Sequence, residues 1–175
     1  MKTIKNTVKT ELMYDDTEKR RYLLHIEWDK EKPKACVIML SAGATNGISF
    51  DHTTNYVLQN LVDLDYGSVD IVNLFSNVDS KTEAEEDSEN LNIISSSAKK
   101  ADIVVFATGT SYKTNIKVKT RQKAVLESLE TYKEKLYCLA DEDGQKFYHP
   151  LCPKVRKWNL EKFDIEGLLE ECADD

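Results

Sequence analysis

Six consecutive apolar residues, Ala35-Cys-Val-Ile-Met-Leu40, are cut off by the small polar loop Ser41-Ala-Gly-Ala-Thr-Asn-Gly47. A run this short and unbroken reads as a strand buried on both faces, the position of a central strand in a parallel sheet. Strands of that kind deliver a loop to their C-terminal edge, where open α/β sheets bind ligands. Three later runs repeat the pattern, at residues 68–75, 101–109 and 136–140. Helical patterns over 55–65, 90–100 and 117–135 lie between them and supply right-handed crossovers. Residues 3–13 and 20–28 are β-leaning and separated by an Asp15-Asp16 turn, so they form a hairpin ahead of the core. The expected fold is a three-layer α/β/α sandwich: a mostly parallel four-stranded core sheet plus an N-terminal antiparallel hairpin. It is one domain, with 1–32 as the edge hairpin, 33–153 as the core, and 154–175 as a tail with a short helix at 165–171. Thr53 or Thr54 is expected to cap the first helix. Gly67 is expected to stop it in the left-handed conformation.

Charge narrows the partners. The formal net charge is -7 over 175 residues, which disfavours duplex DNA, whose binding depends on neutralising phosphates. Much of the acidic excess lies in residues 83–89 and 170–175. Residues 76–89 are expected to be a polar, acidic surface loop, either a lid or a partner site. No segment reaches the about 18 consecutive apolar residues of a membrane span, and the basic start lacks an apolar signal core. The expectation is therefore a cytoplasmic protein without membrane partners. The four cysteines, Cys36, Cys138, Cys152 and Cys172, and the three histidines show no metal-ligand spacing. The glycine-rich phosphate loop, the dinucleotide fingerprint and the nucleophile elbow are all absent. No metal and no cofactor is expected.

What remains is a set of polar residues that the topology carries to one sheet edge. From the first loop come Ser41, Gly43, Thr45 and Asn46. Asp51 and Thr53 follow at the helix start, where free N–H groups can receive an anionic group. Asn73 ends the second core strand, Asn90 opens the next helix, and Thr108 and Ser111 follow the third strand. His149 arrives after the fourth. Each has an ordinary structural use: Asp51 and Thr53 as caps, Asn73 as a loop anchor, His149 before Pro150 as a turn residue. Their convergence where this fold class places its sites makes them the expected ligand-binding set, with Asp51 and His149 as the acid–base pair.

The order of motifs resembles the bacterial and phage family called domain of unknown function 1643. Its pattern is a strand ending M-L-N-P-S, a D-x-T helix start, a V-N-L-F strand, an asparagine after an acidic loop, and a strand ending W-G. A cysteine-leucine strand, a K-D-G turn and H-P-L complete it. The matching stretches are Met39-Leu-Ser-Ala-Gly43, Asp51-His-Thr53, Val72-Asn-Leu-Phe75, Asn90, Ala107-Thr-Gly109, Cys138 to Gly144 and His149-Pro-Leu151. The departures are Ser41-Ala-Gly43 for N-P-S, Thr108 for tryptophan, and Ser76 where an arginine often stands. A fainter analogy links Asn73 and His149-Pro150 to uracil-DNA-glycosylase-like domains, in which such residues read a base and stabilise its departure. The catalytic Asp-Pro-Tyr motif of those domains is missing.

Three functions follow as expectations. The first is a nucleotide- or nucleobase-type small-molecule binding protein, phage- or defence-related by the resemblance. The second is a hydrolase of the glycosidase kind acting on nucleosides or nucleic acid. The third is an acidic protein-interaction module.

Overall fold

The computed structural model describes residues 1–78 and 88–172. It is a mixed α/β protein with a seven-stranded sheet and four helices among these residues. In chain order the strands are β1 (Lys9–Tyr14), β2 (Arg21–Glu27), β3 (Lys34–Ser41), β4 (Ser68–Phe75), β5 (Ile103–Phe106), β6 (Leu136–Ala140) and β7 (Asn159–Lys162). The helices are α1 (His52–Asp63), α2 (Ser88–Lys100), α3 (Ile116–Leu129) and α4 (Ile165–Glu171). None of the described helices is long and apolar enough to cross a membrane. The acidic stretch expected to form a lid or partner site falls largely outside the described residues.

The strands are ordered β1-β2-β4-β3-β5-β6-β7. β3 pairs in parallel with β4 on one side and β5 on the other, and β5 pairs in parallel with β6. The expected hairpin forms: β1 and β2 pair antiparallel, and β2 joins the sheet antiparallel to β4. Side-chain alternation divides the strands between two cores. Cys36, Ile38, Val72, Leu74, Val104 and Phe106 pack with the apolar sides of α2, α3 and α4. Ala35, Val37, Val69, Ile71 and Val105 pack with Val57 and Leu61 of α1 and with Trp158. Every residue of β4 is buried, as expected for a strand covered on both faces.

Four local expectations need correction. The cap of α1 is Asp51, whose carboxylate accepts the Thr54 N–H at 2.7 Å; a carboxylate at the positive end of the helix also meets the dipole. Thr53 lies inside the first turn. Gly67 is not the left-handed stop, because Asp65 takes that conformation at φ 66°. Glycine is needed at 67 for space: an added Cβ would sit 1.8 Å from the Asp29 carbonyl oxygen. Trp28 and Asp29 both donate their N–H to the Gly67 carbonyl, so the β2–β3 turn is pressed onto this point. The third helical pattern ends at Leu129 and continues as a 3-10 segment, Glu130–Lys135. Finally, Asn159-Leu-Glu-Lys162 is a strand, not part of a loose tail, and pairs antiparallel with β6. Its weak β-propensity hid it. It is held in place from outside, since Asn60 of α1 accepts the Trp158 N–H at 2.8 Å and donates to the Arg156 carbonyl at 3.0 Å.

Gly67→Ala is expected to destabilise the fold by about 2 kcal/mol or more, because backbone and not a flexible side chain must yield. A denaturant midpoint unchanged from the parent would contradict this account.

Candidate functional site

The C-terminal ends of β3, β4 and β5 share one edge. β3 leaves the sheet at Ser41, and the Ala42 N–H donates to the Phe75 carbonyl at 2.9 Å, tying the loop to the end of β4. Asn73 faces the α1 side one pair earlier, opposite Met39, and only 1% of it is exposed. Its side-chain partner comes from β2. The Arg21 guanidinium donates from Nη2 to Asn73 Oδ1 at 3.0 Å and from Nη1 to the Gly43 carbonyl at 2.7 Å. Arg21 is itself buried. Both of these bonds go to neutral oxygens, and Arg21 Nε and Asn73 Nδ2 are buried and find no hydrogen-bond partner among the described residues. Burial draws the Arg21 pKa below its ordinary value, against the pull of Tyr14 and Asp51.

Above this buried pair stand two titratable groups. Asp51 uses one carboxylate oxygen as the α1 cap; the other faces Gly43, where an added Cβ would lie 3.8 Å away. His149 lies against Gly109, whose added Cβ would be 3.5 Å from the His149 Cβ. Burial lowers the His149 pKa from its ordinary 6.5, and the charge of Asp51 opposes that shift. The Leu151 N–H donates to His149 Nδ1 at 3.2 Å. The proton of the neutral ring therefore sits on Nε2, which is left as a donor.

The segment carrying His149 is anchored by Asp141. Its carboxylate accepts the Tyr148 hydroxyl at 2.6 Å, the Lys154 ammonium at 3.2 Å and the N–H groups of Asp143 and Gln145. The Tyr148 hydrogen bond leads the effects that hold Asp141 down to about 2. The turn read from Asp-Gly is thus a carboxylate knot that fixes where the chain returns to the edge.

The other expected residues divide. Ser41 and Gly43 belong to the edge just described. Asn90 is fully buried and donates to the carbonyls of Asn73 and Leu74, so it braces the end of β4 from α2. Thr108 is buried on the opposite face, donating to Gln122 Oε1 at 3.2 Å. Ser111 begins a 3-10 turn and accepts from Thr114 and Asn115 through its carbonyl. Thr45 and Asn46 are occupied within their own loop, bonding to residues 47–49. They line a separate cavity of about 640 Å³ together with Leu12, Tyr14 and Ser49. Among the described residues, no group of three His, Cys, Asp or Glu is placed to hold a metal.

Sequence reasoning missed Arg21 and Gln122. Gln122 had a positional signal: it falls four residues after Val118 and three before Val125, on the inward face of α3. Arg21 had a signal: it opens an otherwise aromatic and aliphatic strand run, Arg21-Tyr-Leu-Leu-His-Ile.

The described residues form an α/β protein whose strand-end edge gathers a buried arginine–asparagine pair, an aspartate and a histidine. The family described as "Protein of unknown function (DUF1643)" matches residues 21–151, and the chain belongs to that family. The match begins at Arg21 and ends just beyond His149. No curated protein and no solved structure matches the chain. None of these comparisons brings in a uracil-DNA-glycosylase-like domain.

Two outcomes test the electrostatics. Because the native pKa of His149 is lowered, the unfolded chain takes up the proton first as pH falls. The contribution of His149 to stability is therefore full above its ordinary 6.5 and is lost on acidification toward the lowered native value. His149→Gln is expected to flatten that part of the stability–pH curve, read as denaturant midpoints. Asp51→Asn keeps a capping side chain but removes the charge that supports the imidazolium. It is expected to move the His149 titration, followed by NMR, further down; an upward move would contradict the pairing.

Proposed function

We propose that this chain is a small-molecule binding protein whose ligand is of the nucleotide or nucleobase type. The site lies at the C-terminal ends of the parallel strands in what we read as a three-layer α/β/α sandwich with a four-stranded parallel core. One observation carries the reading: a buried Asn73 amide at that edge, its nitrogen without a partner among the described residues, next to a desolvated guanidinium. Leaving such a donor unmade costs about 1–3 kcal/mol. Residues that bear this cost at a strand-end edge, beneath a loop of small residues, are the ordinary makings of a ligand site. Gly43 and Gly109 supply close approach without side-chain bulk, and Asp51 and His149 supply polar groups at the mouth. Isothermal calorimetry against nucleotides, nucleosides and free bases is expected to find binding to the parent protein. Asn73→Ala is expected to weaken that binding by about tenfold or more. A panel with no heat of binding would remove the reading.

A second reading has its own support. His149 is held neutral near pH 7 with Nε2 as donor, within electrostatic reach of the Asp51 carboxylate. That pair suits cleavage of a glycosidic bond, with Asp51 stabilising developing positive charge and His149 assisting the leaving base. Base release from nucleosides or single-stranded DNA is the assay. The expected result for His149→Ala is at least a hundredfold loss of turnover with a folded protein, and undiminished turnover would exclude this role.

A further inference from the structure

We propose that Arg21 is a specificity-determining positioning residue: it locks the Asn73 amide so that the site takes a ligand edge presenting a hydrogen-bond acceptor. The inference rests on the proposed base-type ligand and says which kind of base. A guanidinium has only donors. The Asn73 atom 3.0 Å from Arg21 Nη2 must therefore be the oxygen, whichever way an isolated amide would turn. The planar amide then has its nitrogen on the side away from Arg21. That nitrogen is buried and finds no acceptor among the described residues.

The lock is rigid at both ends. Arg21 Nη1 is pinned to the Gly43 carbonyl at 2.7 Å, and the Arg21 N–H donates to the Ser76 carbonyl at 2.8 Å. Asn73 sits in a strand paired in register with β3, and Asn90 holds its carbonyl at 3.0 Å. Turning the amide over would place its NH2 against the guanidinium, two donors facing each other in a buried site. The cost of that arrangement fixes the orientation. A free asparagine reads donor or acceptor edges equally well; this one offers only N–H. An oxo group satisfies it, and an amino group at the same place leaves donor facing donor.

The test uses pairs of bases that exchange oxo for amino with little change of shape: hypoxanthine against adenine, and uracil against cytosine, by calorimetry on the full chain. Parent protein is expected to bind the oxo member of a pair roughly tenfold or more tighter. Asn73→Asp keeps an oxygen for Arg21 and adds an ion pair, so its melting temperature is expected to match or exceed the parent's. It loses the donor, so oxo binding falls and the preference within a pair reverses. Arg21→Met releases the amide, and the oxo-to-amino ratio is expected to fall toward one. Equal affinity for both members in the parent protein overturns the inference alone. So does an unchanged preference in folded Asn73→Asp or Arg21→Met. Absence of binding by every base overturns both the inference and the base-binding reading. Should Arg21→Met fail to fold, the Asn73→Asp result decides.

Discussion

A strand buried along its whole length cannot carry polar side chains unless other elements bring partners to them, and β4 carries two besides Ser68 at its start. Asp70 and Asn73 are both buried, on opposite faces of the sheet. β2 answers both. His25 meets one Asp70 oxygen at 2.7 Å, with Lys34 of β3 on the other at 2.8 Å, and Arg21 meets Asn73. Burial pushes the Asp70 carboxyl up, but the hydrogen bonds from His25 and Lys34 outweigh it and the net shift is downward. The N-terminal hairpin is therefore part of the core's polar accounting. Its second strand satisfies β4 at two points while its backbone extends the sheet.

The same constraint shapes the edge. Arg21 is drawn out of water by the need to reach Asn73, and nearby it finds neutral oxygens, with no carboxylate of the described residues within ion-pair distance. Asp51 stands farther off, near enough to be felt and engaged as a helix cap. Buried cations with this surrounding are costly. The cost gives the edge a fixed polarity, with donors below and the Asp51–His149 pair above. The loop from Ser41 to Gly43 brings no charged side chain, yet the Gly43 carbonyl is what receives Arg21 Nη1. Through that backbone oxygen the loop shares in the buried pair.

The core strands were legible because their apolar runs were short and bounded: residues 68–75 form a strand with those bounds, and residues 136–140 likewise. β7 was not legible, since Asn159-Leu-Glu-Lys has neither alternation nor propensity. It is a strand because β6 offers an open edge and Asn60 holds Trp158 beside it. That Asp51, Asn73 and His149 lie toward one sheet edge was legible because each stands at or near a recognisable strand end or helix start. Their companion Arg21 was not, because an arginine at the head of a half-buried strand is ordinarily a solvated charge.

By itself, the sequence determined the period of burial, the order of the core strands and the helices between them, and the edge at which the loops collect, because local hydrophobic patterning and turn chemistry act between near neighbours in the chain. Tertiary structure alone decided which polar groups meet. Arg21 and Asn73 are 52 residues apart, and their pairing depends on β2 lying beside β4 and not beside β3. Pairing of that kind is a property of strand order, set by the packing of the whole sheet. It holds an amide that could otherwise turn either way with its oxygen on Arg21.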